Sequence, residues 1–383
     1  MRIKYFIGSA TSGNSETFIR KSIADMRELG WSVEVISGRR SGDADGVKYV
    51  GFSESNWAFR FWRLFAFLKY SGFAQRYEAL GYRIRQGVAK AKLKPFLKGD
   101  DDFYWFDYLN SACYAAQALN ETKTPFAVAV HGYDASQELS SRSLRRAALS
   151  LRPQFVVAPS NHLRRRLELI GISAPIHVIP YDSAPALSTA IDVKYDFIAL
   201  GRMTPKKCPE AVLMAFEKVL LKHPRAKLIW VGSGELEVEI KRRFAHLSKA
   251  GNVIFKGAIE HQEALQFLLS SKVFVQHSVT SGSGDQEGLP NSLVEAMRNG
   301  KPVISTIHSG IPELITHGKS GFLAQEHDFE SFAKYMVLLL EDESLSNEMG
   351  RSGKELITAR IPLGSRGKEI RSLILNEVNR SKG

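Results

Sequence analysis

The stretch SGSGDQEGLPNSLVEAMRNGKPVISTIHSGIPEL, Ser281 to Leu314, constrains this chain more than any other. It reads as a glycine-rich loop, a helix, a turn, a buried strand and a second loop that opens another helix. Pro290 suits the first helical position, where its missing N–H costs nothing and its fixed φ fits. The unpaired N–H groups of that helix start, with the positive end of its dipole, make a site for an anion, most naturally a phosphate. Gly282, Gly284 and Gly288 let the backbone approach a ligand. Glu287 lies ahead of the helix and Glu295 between one and two turns inside it, so at about 1.5 Å of rise per residue they can hold hydroxyls on either side of a bound phosphate. Capping and solvated charge explain two such carboxylates equally well when the junction is taken alone.

The rest of the chain alternates strand and helix, which predicts doubly wound α/β domains. Ile3–Ile7 reads as a strand, GSATSGNSE as a loop with Gly13 at a tight turn or phosphate cradle, and SETFI as a helix start capped by Ser15. TPFAVAVHGYD is a buried strand ending in His131. A histidine there, followed by glycine, sits where open α/β sheets bind ligands, though a satisfied core histidine is also common. Ala184 to Val193 reads as a linker. YDFIALGRMTPKKCPEAVL then restarts the pattern, with Gly201, Arg202, Lys206 and Lys207 at a strand's carboxyl end, where clustered cations suit a diphosphate. These boundaries predict domains at 1–188 and 189–365, followed by a tail helix at 366–383.

At 383 residues the chain suits two cores. No apolar run is long enough to span a membrane or to act as a secretory leader, and two lone cysteines, Cys113 and Cys208, imply neither a disulfide framework nor a zinc site. A cytosolic location is expected. The net charge of +12 is uneven: residues 56–98 carry ten Lys or Arg against Glu78 alone. Trp57, Phe61, Leu64, Phe65 and Leu68 share one helical face beside Arg60 and Arg63. That combination predicts an anionic membrane surface as the partner of residues 57–98; two ordinary surface helices are the alternative, and no nucleic-acid module accompanies the charge.

The order of signals from Glu287 onward is specific. GLP follows Glu287, EAM begins at Glu295, and GKPVIST and GIPELI come after. This set resembles the donor-binding segment of retaining glycosyltransferases of the GT-B fold, most closely family 4, the group 1 transferases of bacterial exopolysaccharide and lipopolysaccharide. GR-x-x-x-KK resembles the same family's diphosphate clamp, although Cys208 stands where glycine is commoner, and YDSAPAL replaces its usual G-x-D turn. The resemblance covers most of the chain and weakens between residues 40 and 125. It implies two Rossmann-like domains facing a cleft, with the tail helix packing back onto the first, and transfer of a sugar from a UDP- or GDP-linked donor to a hydroxyl of a glycan. The aromatic and basic segment at 57–98 adds the expectation that this glycan is lipid-linked at the inner face of the membrane. By motif, Glu287 would hold the donor sugar and Glu295 the ribose, and Arg202, Lys207 and the amides near Leu289 to Asn291, about Pro290, would surround the diphosphate with Gly201 and Gly288. His131 would line the sugar site. No cofactor is expected, and no divalent metal, because the donor half has no D-x-D strand end. A nucleotide-sugar epimerase or a non-catalytic binding protein on this scaffold are the rival readings.

Overall fold

The computed structural model describes residues 2–7, 17–37, 42–44, 47–51, 82–83, 86–87, 89–90, 93, 96–97, 102–122, 124–183, 185–186 and 191–382. Gly13, Ser15 and the face built from Trp57, Phe61 and Phe65, with most of the basic segment, lie outside these residues.

Strands β1 (Arg2–Ile7), β2 (Ser32–Ser37), β3 (Gly42–Ala44), β4 (Val47–Gly51), β5 (Asp102–Asp107), β6 (Phe126–Ala129), β7 (Phe155–Ala158) and β8 (Ile176–Val178) form one sheet in the order β3-β4-β2-β1-β5-β6-β7-β8. Only β3 with β4 is antiparallel. Side chains alternate across it as a pleated strand requires. Ile3, Tyr5, Phe103 and Trp105 pack on one face with Ile19 and Ile23, while Phe6, Tyr104 and Phe106 pack on the other with the helices Leu109–Thr122 and Asn161–Leu169.

The second sheet is wholly parallel. Its strands β9 (Tyr195–Leu200), β10 (Leu228–Val231), β11 (Val253–Gly257), β12 (Ser271–Val275), β13 (Val303–Thr306) and β14 (Phe322–Ala324) run in the order β11-β10-β9-β12-β13-β14. In both sheets the first strand lies inside and the winding reverses beside it, between β1 and β5 and between β9 and β12. Crevices at the carboxyl ends of such strands are where open sheets take ligands. The helix Ser365–Lys382 returns to the first sheet, burying Ile370 and Ile374 against Ile19 and Ile23. Arg298 and Arg366 hold the two crossings: Arg298 donates to Ser183 Oγ at 3.1 Å and Ile361 O at 2.7 Å, and Arg366 donates to the carbonyl of Ile179.

The two domains meet backbone to backbone. A Cβ on Gly132 would lie 2.1 Å from the carbonyl oxygen of Gln286, and one on Gly288 would lie 3.0 Å from the nitrogen of Gly132. Sequence reasoning gave Gly288 to a ligand; its smallness also serves this seam. Beside it, Glu313 accepts the N–H groups of Asn161 and His162, both at 2.8 Å, so a carboxylate of one domain caps a helix of the other.

The seam predicts a selective sensitivity. Gly132→Ala is expected to cost about 1–3 kcal/mol, as overpacking does, seen as a drop of several degrees in Tm or a larger radius of gyration by solution scattering. Gly282→Ala, whose Cβ meets nothing within 4 Å, serves as the control. Equal behaviour of the two variants would show that the seam is not closed in solution.

Candidate active site

A cleft of about 630 Å³ opens between the carboxyl ends of the two sheets. β9 delivers Leu200, Gly201 and Arg202 to it, and the turn Pro205–Lys207 then places Lys206 and Lys207. That turn ends at Cys208 with φ +39, left-handed backbone that explains why glycine is the easier residue there. Gly201 is favoured for a related reason, its φ of +152, and Gly232 because a Cβ there would stand 2.2 Å from the carbonyl oxygen of Gly201.

Lys207 and Glu287 meet in the floor of the cleft at 3.2 Å. Burial works against charge on both. For Glu287 burial alone would raise the carboxyl, but Lys207 and Lys206 outweigh it and hold it down at about 2, so it is a carboxylate at neutral pH. Burial pushes the Lys207 ammonium down and Glu287 pulls it back. Lys206 pairs with Asp285 at 3.1 Å, and Arg202 is exposed at the rim, outside any ion pair among the described residues. Three cations and two carboxylates thus crowd one strand end.

The helix Asn291–Arg298 begins one residue later than its sequence suggests. Pro290, at φ −69 and ψ 117, is the extended residue before the first turn and offers no side-chain cap. The N–H groups of Asn291 and Ser292 therefore have no acceptor among the described residues, and Oδ1 of Asn291 is buried without a partner. All face the cleft with Gly288 and Leu289. A built anion site with donors in place follows. Four residues into that helix, Glu295 accepts from His261 Nε2 at 2.8 Å, and this hydrogen bond raises the His261 pKa against the effect of burial.

From the first domain, β5 and β6 bring Asp107, Tyr108, His131 and Gly132. His131 is anchored on both ring nitrogens: Nε2 lies 3.1 Å from Asp107 Oδ1, and Nδ1 meets the hydroxyl of Tyr181. Asp107 accepts only, so Nε2 carries the ring proton and the tyrosine donates to Nδ1 in the neutral ring. Tyr5 donates to the second oxygen of Asp107 at 2.6 Å, and the Arg366 guanidinium lies 4.7 Å over the Tyr181 ring. Tyr108, at φ +89, is strained backbone for an aromatic residue, and its ring centroid lies 4.3 Å from that of His131. His131 is a fixed wall of the cleft and not a mobile base. A second chamber of about 1000 Å³ continues from here, lined by Tyr108, Asn110, Tyr114, Tyr133, Gln137 and Glu235.

The structure therefore brings Glu287, Glu295, Arg202, Lys207, His131, Gly201 and the 288–291 amides to one cleft. Asp107, Tyr181 and His261 were missed. Asp182, in the YDSAPAL stretch that replaces the G-x-D turn, is buried 3.7 Å from Lys21 and does not line the cleft. Tyr181 beside it does.

Two family models match consecutive segments: a glycosyl transferase 4-like domain over residues 13–182 and glycosyl transferases group 1 over residues 188–356. The chain is 27% identical to the amylovoran biosynthesis glycosyltransferase AmsK of Erwinia amylovora over 67% of its own length and 65% of that protein's. It is 33% identical to the putative colanic acid biosynthesis glycosyltransferase WcaL of Escherichia coli K12, over 37% of this chain and 35% of the relative. The matches thus span less than two thirds of these curated relatives. Among solved structures, the sucrose-phosphate synthase of Thermosynechococcus elongatus superposes with a TM-score of 0.76 at 15% identity, covering 99% of this chain and all of that one. HepE of Anabaena, crystallised with UDP and glucose, gives 0.72 at 17% identity over 98% and 100%.

One consequence is measurable without any substrate. His261 is expected to titrate above its ordinary range in the intact protein and to fall back toward it in Glu295→Gln, followed by NMR of its ring protons. The charge facing Glu295 is present below that titration and lost as pH rises through it. An unchanged titration in the variant would mean that the two side chains do not pair.

Proposed function

Because the chain belongs to the glycosyl transferases group 1 family and has its GT-B fold, we propose that it moves a sugar from a nucleotide diphosphate donor to a hydroxyl of a lipid-linked glycan during assembly of bacterial surface polysaccharide, with retention at the anomeric carbon. The observation that carries this reading is the buried Glu287–Lys207 pair set against the unpaired N–H groups of Asn291 and Ser292. Glu287 accepts hydroxyls of the donor sugar against the wall made by His131. Glu295 accepts the ribose hydroxyls at the far end of the helix turn. Negative charge grows on the diphosphate as the glycosidic bond opens, and Arg202, Lys207 and the two amides meet it without reorganising. The acceptor hydroxyl approaches on the leaving-group face, and its proton passes to the departing phosphate oxygen. The adjoining chamber supports transfer over epimerisation, since only transfer needs room for a second sugar.

The donor is UDP- or GDP-linked. HepE binds UDP, and a relative in Mycobacterium tuberculosis, 30% identical over 43% of this chain, is a GDP-mannose-dependent mannosyltransferase. No cofactor enters the scheme, and the cations and amides take the role a divalent metal would have. Arg202→Ala and Lys207→Ala are each expected to lower kcat by about 10²–10³, the effect of losing one transition-state donor. Transfer by the unaltered enzyme is expected to persist in excess EDTA. Arg202→Ala should keep its Tm because the side chain is exposed, whereas Lys207→Ala leaves Glu287 buried and unpaired and should lose stability as well. Wild-type turnover in both variants, or full dependence on added Mg²⁺ or Mn²⁺, contradicts the scheme.

We place the enzyme at the cytoplasmic face of the membrane. Among the described residues no helix is long and apolar enough to cross a bilayer. Residues 141–175 carry seven Arg against Glu168 alone. The helix Arg142–Ser150 turns Arg142, Arg145, Arg146 and Leu149 outward at helical spacing, and Leu169 nearby is 88% exposed. Cations around apolar tips suit an anionic bilayer, at about 1 kcal/mol for each basic side chain near the surface. Vesicle co-sedimentation is expected to require anionic lipid, to weaken with salt, and to fall when Arg142, Arg145 and Arg146 become Gln. Indifference of the unaltered protein to anionic vesicles at low salt would remove the membrane reading and leave the donor chemistry intact.

A further inference from the structure

Glu287 belongs to an irregular loop, yet a carboxylate that meets a substrate must be held to about 0.5 Å. Its side chain is steadied by Lys207; its peptide is steadied from the opposite side by two consecutive residues. The N–H of Glu287 donates to Nε2 of His308 at 3.0 Å, and its carbonyl accepts from the Ser309 hydroxyl. Ser309 sits at φ +49, left-handed backbone that costs energy for a residue with a Cβ. Nδ1 of His308 lies 2.6 Å from Glu326 Oε1, and the other oxygen of Glu326 accepts the N–H of Thr280 at 2.8 Å. The His308 side chain is 1% exposed.

These contacts determine the tautomer. A ring nitrogen that accepts from a backbone N–H carries a lone pair, so the proton of His308 is on Nδ1 and is donated to Glu326. A doubly protonated ring would set its Nε2–H against the N–H of Glu287, two donors with no acceptor between them. The charged and titratable groups facing the ring are Glu326, the Glu287 carboxylate and His162 of the helix Asn161–Leu169, and His327 adjoins Glu326. Protonation thus strengthens the Glu326 contact while breaking the one to Glu287.

We propose that His308, anchored by Glu326, is the residue that positions Glu287 for the donor sugar, and that acid switches transfer off by releasing the Glu287 peptide. The inference rests on the reading of Glu287 as the group that meets that sugar. It separates the two ends of the donor site, because the nucleotide end at Glu295 does not touch His308.

The test compares the full chain with His308→Ala and His308→Gln. Glutamine reaches the Nε2 position with an oxygen that accepts an N–H and does not take up a proton in this range. His308→Ala is expected to lower kcat by roughly 10- to 100-fold, the scale of about a 1 Å misplacement, while the affinity for free UDP or GDP stays within about threefold, which also reports that the variant is folded. His308→Gln is expected to recover most of that kcat. The wild-type enzyme is expected to lose kcat as the solution is acidified, and His308→Gln is expected to lose much less. Hydrogen exchange at the Glu287 amide gives a readout that needs no turnover: protection should be present in wild type at neutral pH, absent in His308→Ala, reduced by acid in wild type and kept in His308→Gln. Equal protection in all three proteins, or an acid limb unchanged in His308→Gln, overturns the proposal. An unaltered enzyme that transfers no sugar but shows the expected protection pattern would refute the transferase reading and leave the hold of His308 on Glu287 standing.

Discussion

Everything in the cleft is organised around one desolvated ion pair, Lys207 with Glu287. Taking two charges out of water is costly, and their attraction commonly does no more than offset that cost, so such a pair is poor evidence for stability. Its value lies in geometry. Lys207 comes from the turn after the first strand of the second sheet, and Glu287 from the loop before the helix Asn291–Arg298. Joining them fixes the spacing between the strand-end cations and the helix amides. A diphosphate needs both sets of donors at once, and neither element could place the other's without this contact.

The pair also depends on the first domain. The loop that carries Glu287 packs against Gly132 with no room for a side chain between, and Gln286 N–H donates to Ser136 Oγ at 3.0 Å. His131, one residue before that glycine, is locked by Asp107 and Tyr181 while its neighbour touches the loop. The cleft wall at His131 and the Glu287 carboxylate are thus set by a single seam. The seam and the cleft floor are therefore set together, which is why the hydrogen bonds that the N–H groups of Asn161 and His162 donate to Glu313 matter beyond the stability they add.

What could be read in advance was whatever lay within one continuous stretch. The alternation of strands and helices, the Glu287–Glu295 spacing and the cations after β9 were all legible because loop, helix start and strand end are local features. The return of the tail helix was expected only from the family resemblance. Partners joined by topology were not legible. Asp107 and His131 are neighbours because β5 and β6 are adjacent and parallel, so their carboxyl ends coincide; His308 after β13 reaches Glu287 after β12 in the same way, whereas His261 after β11 reaches Glu295 across the ends of β10 and β9. No spacing rule links such residues. Pro290 was misplaced by one position because proline suits either side of a helix start, and φ alone does not distinguish them. Cys208 shows the converse case: an odd residue in a familiar string marked a left-handed turn that the structure contains.

The charge balance of the site bears on how it would act. Lys206 and Lys207 are already engaged by Asp285 and Glu287, so three cations at the strand end face two carboxylates before any ligand arrives. A ground-state diphosphate meets a small surplus of positive charge, centred on the exposed Arg202, and gains only modest attraction. In the proposed transfer, charge would accumulate on the oxygen nearest Lys207 and the amides of Asn291 and Ser292 as the glycosidic bond opens, and the attraction would grow there. Interactions that strengthen during the reaction accelerate it, whereas uniform attraction only tightens binding. Pre-paired cations in the floor, with Arg202 unpaired at the rim among the described residues, would therefore favour turnover over retention of a nucleotide product.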